Sequence, residues 1–150
     1  MPRVRLQAEP FDPGAETNAF LKGREETGAF VSFVGTVRST PDKPVTSLTL
    51  EHYPGMAEAQ ITRFAEEALE RFKLTDIAAI HRFGTMKPGE VIVMVMALSP
   101  HRLAAFDGAN FVMDWLKTDA PFWKKEAGPQ GENWVEAKAT DDTARDRWKS

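Results

Sequence analysis

Val91-Ile92-Val93-Met94-Val95-Met96-Ala97-Leu98-Ser99-Pro100 is the stretch on which the architecture turns. Its unbroken apolar run has no polar face, so it reads as a central strand buried on both sides. Ser99-Pro100 then offers a capping hydroxyl followed by a proline, the signature of a helix start. The helix it predicts runs to about Thr118 and carries Leu103, Phe106, Phe111, Met113 and Leu116. Just before the run, Lys87-Pro88-Gly89-Glu90 places Pro and then Gly at the centre of a type II turn. Asp76 to Phe83 reads as the strand entering that turn.

Working outward, Val4 to Gln7 reads as a short first strand. Asp12-Pro13 repeats the cap-then-proline pattern and opens a helix to about Glu26, which Gly28 ends. Ala29 to Arg38, rich in Val and Phe, and Thr46 to Tyr53, with Leu48, Leu50 and His52 on one face, read as strands and as the arms of one long hairpin. Pro54-Gly55 punctuates. From Met56 to Phe72 the residues Ile61, Phe64, Ala65, Ala68, Leu69 and Phe72 recur at helical spacing as one apolar stripe. Past Pro121, Phe122 to Ala127 and Asn133 to Ala137 predict two short strands joined through Gly128-Pro129-Gln130-Gly131. The charged tail from Thr140 suits a last helical turn or a mobile end. Hairpins mixed with helices predict an α+β class with a mainly antiparallel sheet.

The bulk numbers narrow the function. A chain of 150 residues, 42% hydrophobic, is long enough for one domain spanning 1–150 with a real core. Its net charge of −3 gives no basic field to recruit nucleic acid. No apolar run is long enough to span a membrane, and the first residues lack the apolar stretch of a secretory signal, so a cytoplasmic location is the default expectation. With no cysteine, the chain has neither disulfide nor thiolate, and any sulfur chemistry must use sulfur brought from elsewhere. The three histidines show no metal-ligand spacing.

Lys117-Thr118-Asp119-Ala120-Pro121-Phe122-Trp123-Lys124-Lys125-Glu126 concentrates the candidate chemistry. A helix end, a proline break, two aromatics and three lysines can hold a phosphate or polarise a carbonyl. The same residues also suit a solvated turn with lysines placed for the helix dipole. Asp114, Asp119 and Glu126 make the window neutral by count, so it becomes a cationic pocket only if the fold turns the lysines together and the acids away. His101-Arg102, in the first turn of the helix after Ser99-Pro100, can add donors to an anion site or simply cap a helix. Arg38, at a strand end, is either solvated or a forked phosphate ligand. His81-Arg82 reads as a structural strand end, and Trp123 with Trp134 as hairpin packing.

Several strings together resemble the large, catalytic subunit family of molybdopterin synthase. They are Phe33 to Arg38, Leu50-Glu51-His52-Tyr53-Pro54-Gly55-Met56, Ile80-His81-Arg82-Phe83-Gly84, His101-Arg102, Met113 through Glu126, and Trp134-Val135-Glu136-Ala137. They run in family order over about residues 28 to 138, and the His-Tyr-Pro-Gly-Met and Lys-Thr-x-Ala-Pro-Phe-Trp-Lys strings are specific.

The resemblance implies an α/β hammerhead-type fold with additional antiparallel strands. It implies conversion of cyclic pyranopterin monophosphate, precursor Z, into molybdopterin by installing the two dithiolene sulfurs. The sulfur comes as a thiocarboxylate on the C-terminal Gly-Gly of a small ubiquitin-like subunit. The implied assembly is a homodimer of large subunits within a heterotetramer, and no cofactor or metal of the chain's own is implied. By the same resemblance Lys117 and Lys124 are the catalytic lysines. Lys117 sits near the partner's terminal carbonyl, and Lys124 holds the pterin or moves a proton. Thr36, Val37, Arg38, His101, Arg102, Lys125 and Glu126 match substrate-contacting positions. Lys125 and Lys138 stand where arginine is frequent in the family, which keeps charge and loses a forked donor. Two other classes remain: a non-catalytic module that binds a ubiquitin-like tail or a pterin, and a nucleotide- or RNA-binding domain stacking bases on Phe122 and Trp123.

Overall fold

In a computed structural model the described residues are 3–118, 122–135 and 139–149. The chain runs β1 (Val4–Gln7), α1 (Pro13–Leu21), β2 (Ala29–Thr36), β3 (Ser47–His52), α2 (Met56–Arg71), β4 (Asp76–Arg82), β5 (Gly84–Met86), β6 (Val91–Ser99), α3 (Arg102–Thr118), β7 (Phe122–Gly128), β8 (Gly131–Val135) and α4 (Ala139–Asp146). The strands form two four-stranded sheets, ordered β1-β4-β6-β2 and β5-β3-β7-β8. Only β1 with β4 pairs in parallel; the other pairs are antiparallel, so the molecule is α+β.

The apolar run is the interior strand it was expected to be. β6 lies between β4 and β2, and residues 93 to 99 are all buried. On one side Val93, Val95 and Ala97 meet Ile61, Ala65 and Ala68 of α2 and Phe111, Val112 and Leu116 of α3. On the other, Met94 and Met96 join Ile80, with Phe20 and Phe30 packed against them. Each large side chain so buried contributes about 1.5–3 kcal/mol, which is why the pattern overrides methionine's indifferent strand preference. The turn before it forms as read: Gly89 has φ +91° and the Glu90 N–H donates to the Lys87 carbonyl at 3.1 Å. Ser99 Oγ accepts from the His101 N–H at 3.2 Å at the start of α3.

Two expectations are corrected. β2 and β3 are not the arms of a hairpin. β2 pairs with β6 in the first sheet, while β3 pairs with β5 and β7 in the second. β2 takes the open edge of β6, where its backbone pairs from Ala29–Ser99 to Thr36–Val91, and the polar stretch between β2 and β3 crosses from sheet to sheet. α1 stops at Leu21, not near Glu26, because Gly23 takes φ +75°, a left-handed conformation that ends a helix. Of the apolar residues on α3, Phe111 and Leu116 are buried, whereas Leu103 and Phe106 are 70% and 54% exposed.

The second sheet has its own small core of Leu48, Leu50, Met86 and Val37, with Phe83 and Ile92 against it. β7 and β8 form the expected hairpin, closed by Gly128 opposite Gly131. The tail is helical, and Trp148 just beyond α4 packs on Phe72 and Phe111. No helix among the described residues is long and apolar enough to cross a membrane.

Candidate active site

The site forms where the two sheets meet. β6 and α3 run in opposite directions, so the C-terminal end of α3 returns to the Val91 end of β6. Thr36 pairs with Val91 across a register shift at Gly35/Thr36, and His81 pairs with Val93. Lys117, Thr36, Arg38 and His81 therefore share one end of the first sheet. The shift leaves Ile92 of β6 without a partner on β2, an irregularity of the kind found beside functional sites. β7 of the second sheet arrives at the same end, with Phe122 opposite His52 and Lys124 opposite Leu50.

Rings fill the joint. His81 stacks on Phe122 with centroids 4.3 Å apart and planes at 19°. His52 lies 4.4 Å from Phe83 and 6.1 Å from Phe122. His81 is buried, and its Nδ1 is 2.9 Å from the Arg82 carbonyl oxygen. A carbonyl only accepts, so Nδ1 carries the hydrogen and Nε2 keeps its lone pair. Burial pushes the imidazole down from 6.5 to about 4. The Arg82 carbonyl works against that shift, while the charges of Lys124, Lys117 and His52 add to it. Both catalytic-lysine candidates thus act electrostatically on one neutral ring, although one comes from a helix of the first sheet's layer and the other from the second sheet.

The acids that neutralise the lysine window by count are partly turned away. Asp114 Oδ2 accepts from Arg147 Nη2 at 2.8 Å and from Trp148 Nε1 at 2.6 Å, so its charge serves the C-terminal segment. Glu126 shares the Lys124 face of β7 by strand alternation and is exposed. Asp119, Ala120 and Pro121 lie outside the described residues, as do Glu136, Ala137 and Lys138.

The other candidates divide by position. Lys117 and Arg38 are exposed, and Thr36 is exposed beside them. Val37 is buried, its N–H donating to the Glu90 carbonyl at 2.9 Å and its carbonyl accepting from Gly89 at 2.8 Å, so it holds the strand end in place. Lys125 alternates to the face opposite Lys124, where it lies 3.5 Å from Glu132 and 5.5 Å from the centre of the Trp134 ring. Trp123, on that face too, packs edge-on against Tyr53 at 4.8 Å. His101 and Arg102 sit at the opposite end of α3 from Lys117, about 24 Å away at 1.5 Å per residue. A single copy does not bring them to the lysines.

The His81 ring and its neighbour His52 are what the sequence reading passed over as chemistry. The sequence holds only a faint signal for them: polar residues, His81 and Arg82, closing the inward-facing strand Ile77-Ala78-Ala79-Ile80. Arg82 proves structural, donating from Nε and Nη2 to the Ala8 carbonyl at 3.1 and 2.9 Å. A cavity of about 320 Å³ lies elsewhere, along α1, and its arginines Arg5 and Arg24 are already paired with Glu16 and Asp76.

The family model described as MoaE protein matches residues 6–119. The chain is 56% identical over 147 residues to the molybdopterin synthase catalytic subunit of Rhizobium meliloti, covering 97% of this chain and 94% of that one. Among solved structures, the molybdopterin biosynthesis MoaE protein from Burkholderia ambifaria superposes with a TM-score of 0.84 at 47% identity, over 100% of this chain and 99% of that one. Molybdopterin synthase from Staphylococcus aureus gives 0.82 at 28% identity, over 91% and 98%. Fold and likeness together define an enzyme subunit of molybdenum cofactor biosynthesis. The chain belongs to the MoaE protein family, that of the molybdopterin synthase catalytic subunits.

Proposed function

We propose that this chain transfers sulfur to precursor Z from the C-terminal thiocarboxylate of a small ubiquitin-like subunit, building the dithiolene of molybdopterin. The observation that carries the reading is the convergence of Lys117 and Lys124, from separate elements, on the buried, neutral ring of His81. The chain has no cysteine, so its part is to bind, align and stabilise while the partner's Gly-Gly tail brings the sulfur.

The thiocarboxylate sulfur forms a C–S bond to a side-chain carbon of the pterin as a C–O bond at that carbon breaks, the oxygen leaving on the phosphate or as water; each of the two sulfurs comes from its own tail. Loss of the acyl group to water then leaves the sulfur on the pterin and returns a carboxylate on the tail. Negative charge builds on the acyl oxygen in the second step, and fixed cations beside it lower that barrier. Lys117, at the exposed end of α3, takes the tail carbonyl. Lys124, set deeper on β7, holds the pterin or moves a proton. Arg38 and Thr36 stand at the same end for the phosphate. Glu126 shares the Lys124 face, and Val37 supports the contact from below.

His101 and Arg102 cannot serve the same site within one copy. In a homodimer they serve the partner's site, and exposed Leu103 and Phe106 beside them are apolar surface of the kind a second copy covers. Lys125, on the opposite face of β7, belongs to the rim. The homodimer carries one small subunit at each end, a heterotetramer in the cytoplasm.

The test is reconstitution: this chain, precursor Z and a thiocarboxylated Gly-Gly partner, assayed for the dithiolene beside Lys117→Ala. Product with the native chain and a loss of at least about 100-fold with the variant support the reading. Binding of the partner without product would assign the chain to a docking module instead.

A further inference from the structure

We propose that His81 is a positioning residue for the lysine pair: its ring, stacked on Phe122, is the pin that sets where Lys124 stands relative to Lys117. The inference rests on the sulfur-transfer reading and adds to it a residue that touches neither substrate nor tail.

The two lysines have no rigid element in common. Lys117 is fixed by α3, whose Leu116, one residue before it, is buried against the first sheet. Lys124 is fixed by β7, whose strand pairing among the described residues is with β3 and β8 of the second sheet. Their separation is therefore set by whatever holds the start of β7 against the first sheet. The His81–Phe122 stack is such a contact: His81 belongs to β4 and Phe122 is the first residue of β7. Strand alternation puts Phe122 and Lys124 on one face of β7, so a shift of the ring is passed directly to the lysine.

The His81 ring is itself well held. Its Nδ1–H is tied to the Arg82 carbonyl at 2.9 Å, and Arg82 in turn is anchored to Ala8. His52 closes on Phe122 from β3, in register with it. Neutrality suits the place. A cation there would lie unpaired among Lys117, Lys124 and His52, the charges that already disfavour the protonated ring. Imidazole offers a flat face for stacking, a donor for the carbonyl and no charge above about pH 5.

The experiment measures kcat, KM for precursor Z and partner affinity for the native chain, His81→Phe and His81→Ala in the reconstituted complex. Removing the ring should lower kcat by about 10- to 100-fold, the effect of displacing a reacting group by an ångström. Partner affinity should change less than about threefold, since Lys117 keeps its place on α3, and any rise in KM should stay smaller than the fall in kcat. His81→Phe restores the stack and should recover most of kcat. A folded His81→Ala with native kcat, or a His81→Phe as slow as His81→Ala, would overturn the proposal. Should His81→Ala fail to fold, Phe122→Leu removes the same stack from the other side and carries the same expectation. Failure of the sulfur-transfer reading looks different, because the native chain then gives no product to compare.

Discussion

At the scale of the residue, His81 shows how one side chain links stability to pH. Its folded value of about 4 lies below the ordinary 6.5, so the unfolded chain binds the proton more tightly. Folding is therefore favoured in full above about pH 6.5 and loses stability as the pH falls towards 4. Integrated, the lowering amounts to about 3 kcal/mol. The charges facing the ring come from every side: Lys117 on α3, Lys124 on β7 and His52 on β3. Denaturant melts at pH 7 and pH 4.5 should show the native chain losing much of that amount, and His81→Phe losing visibly less. Equal losses in the two proteins would mean that other groups carry the acid sensitivity.

At the scale of the element, what could be read in advance follows the range of the interactions. β6, α2, the Lys87–Glu90 turn and the cap of α3 are local or periodic, and they stand where the residues put them. The β2–β3 hairpin failed because pairing is non-local: nothing within Ala29 to Tyr53 says that β6, over fifty residues on, is the better neighbour. The lysines stood out as candidates through a specific string, whereas the His81–Phe122 stack did not, since it joins two sheets whose mutual placement no local pattern encodes. α4 was only half legible for a similar reason. Its charged sequence hides an aromatic anchor, Trp148, whose ring meets Phe72 and Phe111 and whose Nε1–H reaches Asp114. This anchor bears on the last turns of α3, which carry Lys117. Trp148→Ala should cost about 2 kcal/mol, roughly half the loss of a fully buried aromatic, and lower the melting temperature by about 4–8 °C. Differential scanning calorimetry checks it, and an unchanged melt would show that α4 adds nothing to the core.

At the scale of the whole molecule, the length of α3 decides how many copies a working site needs. His101 and Arg102 stand at one end and Lys117 at the other, about 24 Å apart, and a pterin monophosphate cannot bridge that distance. If both ends serve one reaction, they come from different copies. Two damaged chains should then repair each other. In a mixed dimer of Lys117→Ala and Arg102→Ala, the intact Lys117 of one copy faces the intact Arg102 of the other, while the second site has lost both. Random pairing makes half the dimers mixed and half of their sites whole, so the mixture should regain about a quarter of native turnover, well above either variant alone. The assay needs substrate below saturation, where loss of an arginine contact is felt as weaker binding. A site built within one copy predicts the opposite. Every site in the mixture then lacks one group or the other, and activity stays at the average of the two variants. Co-refolding the pair and measuring dithiolene formation separates the two arrangements in one experiment.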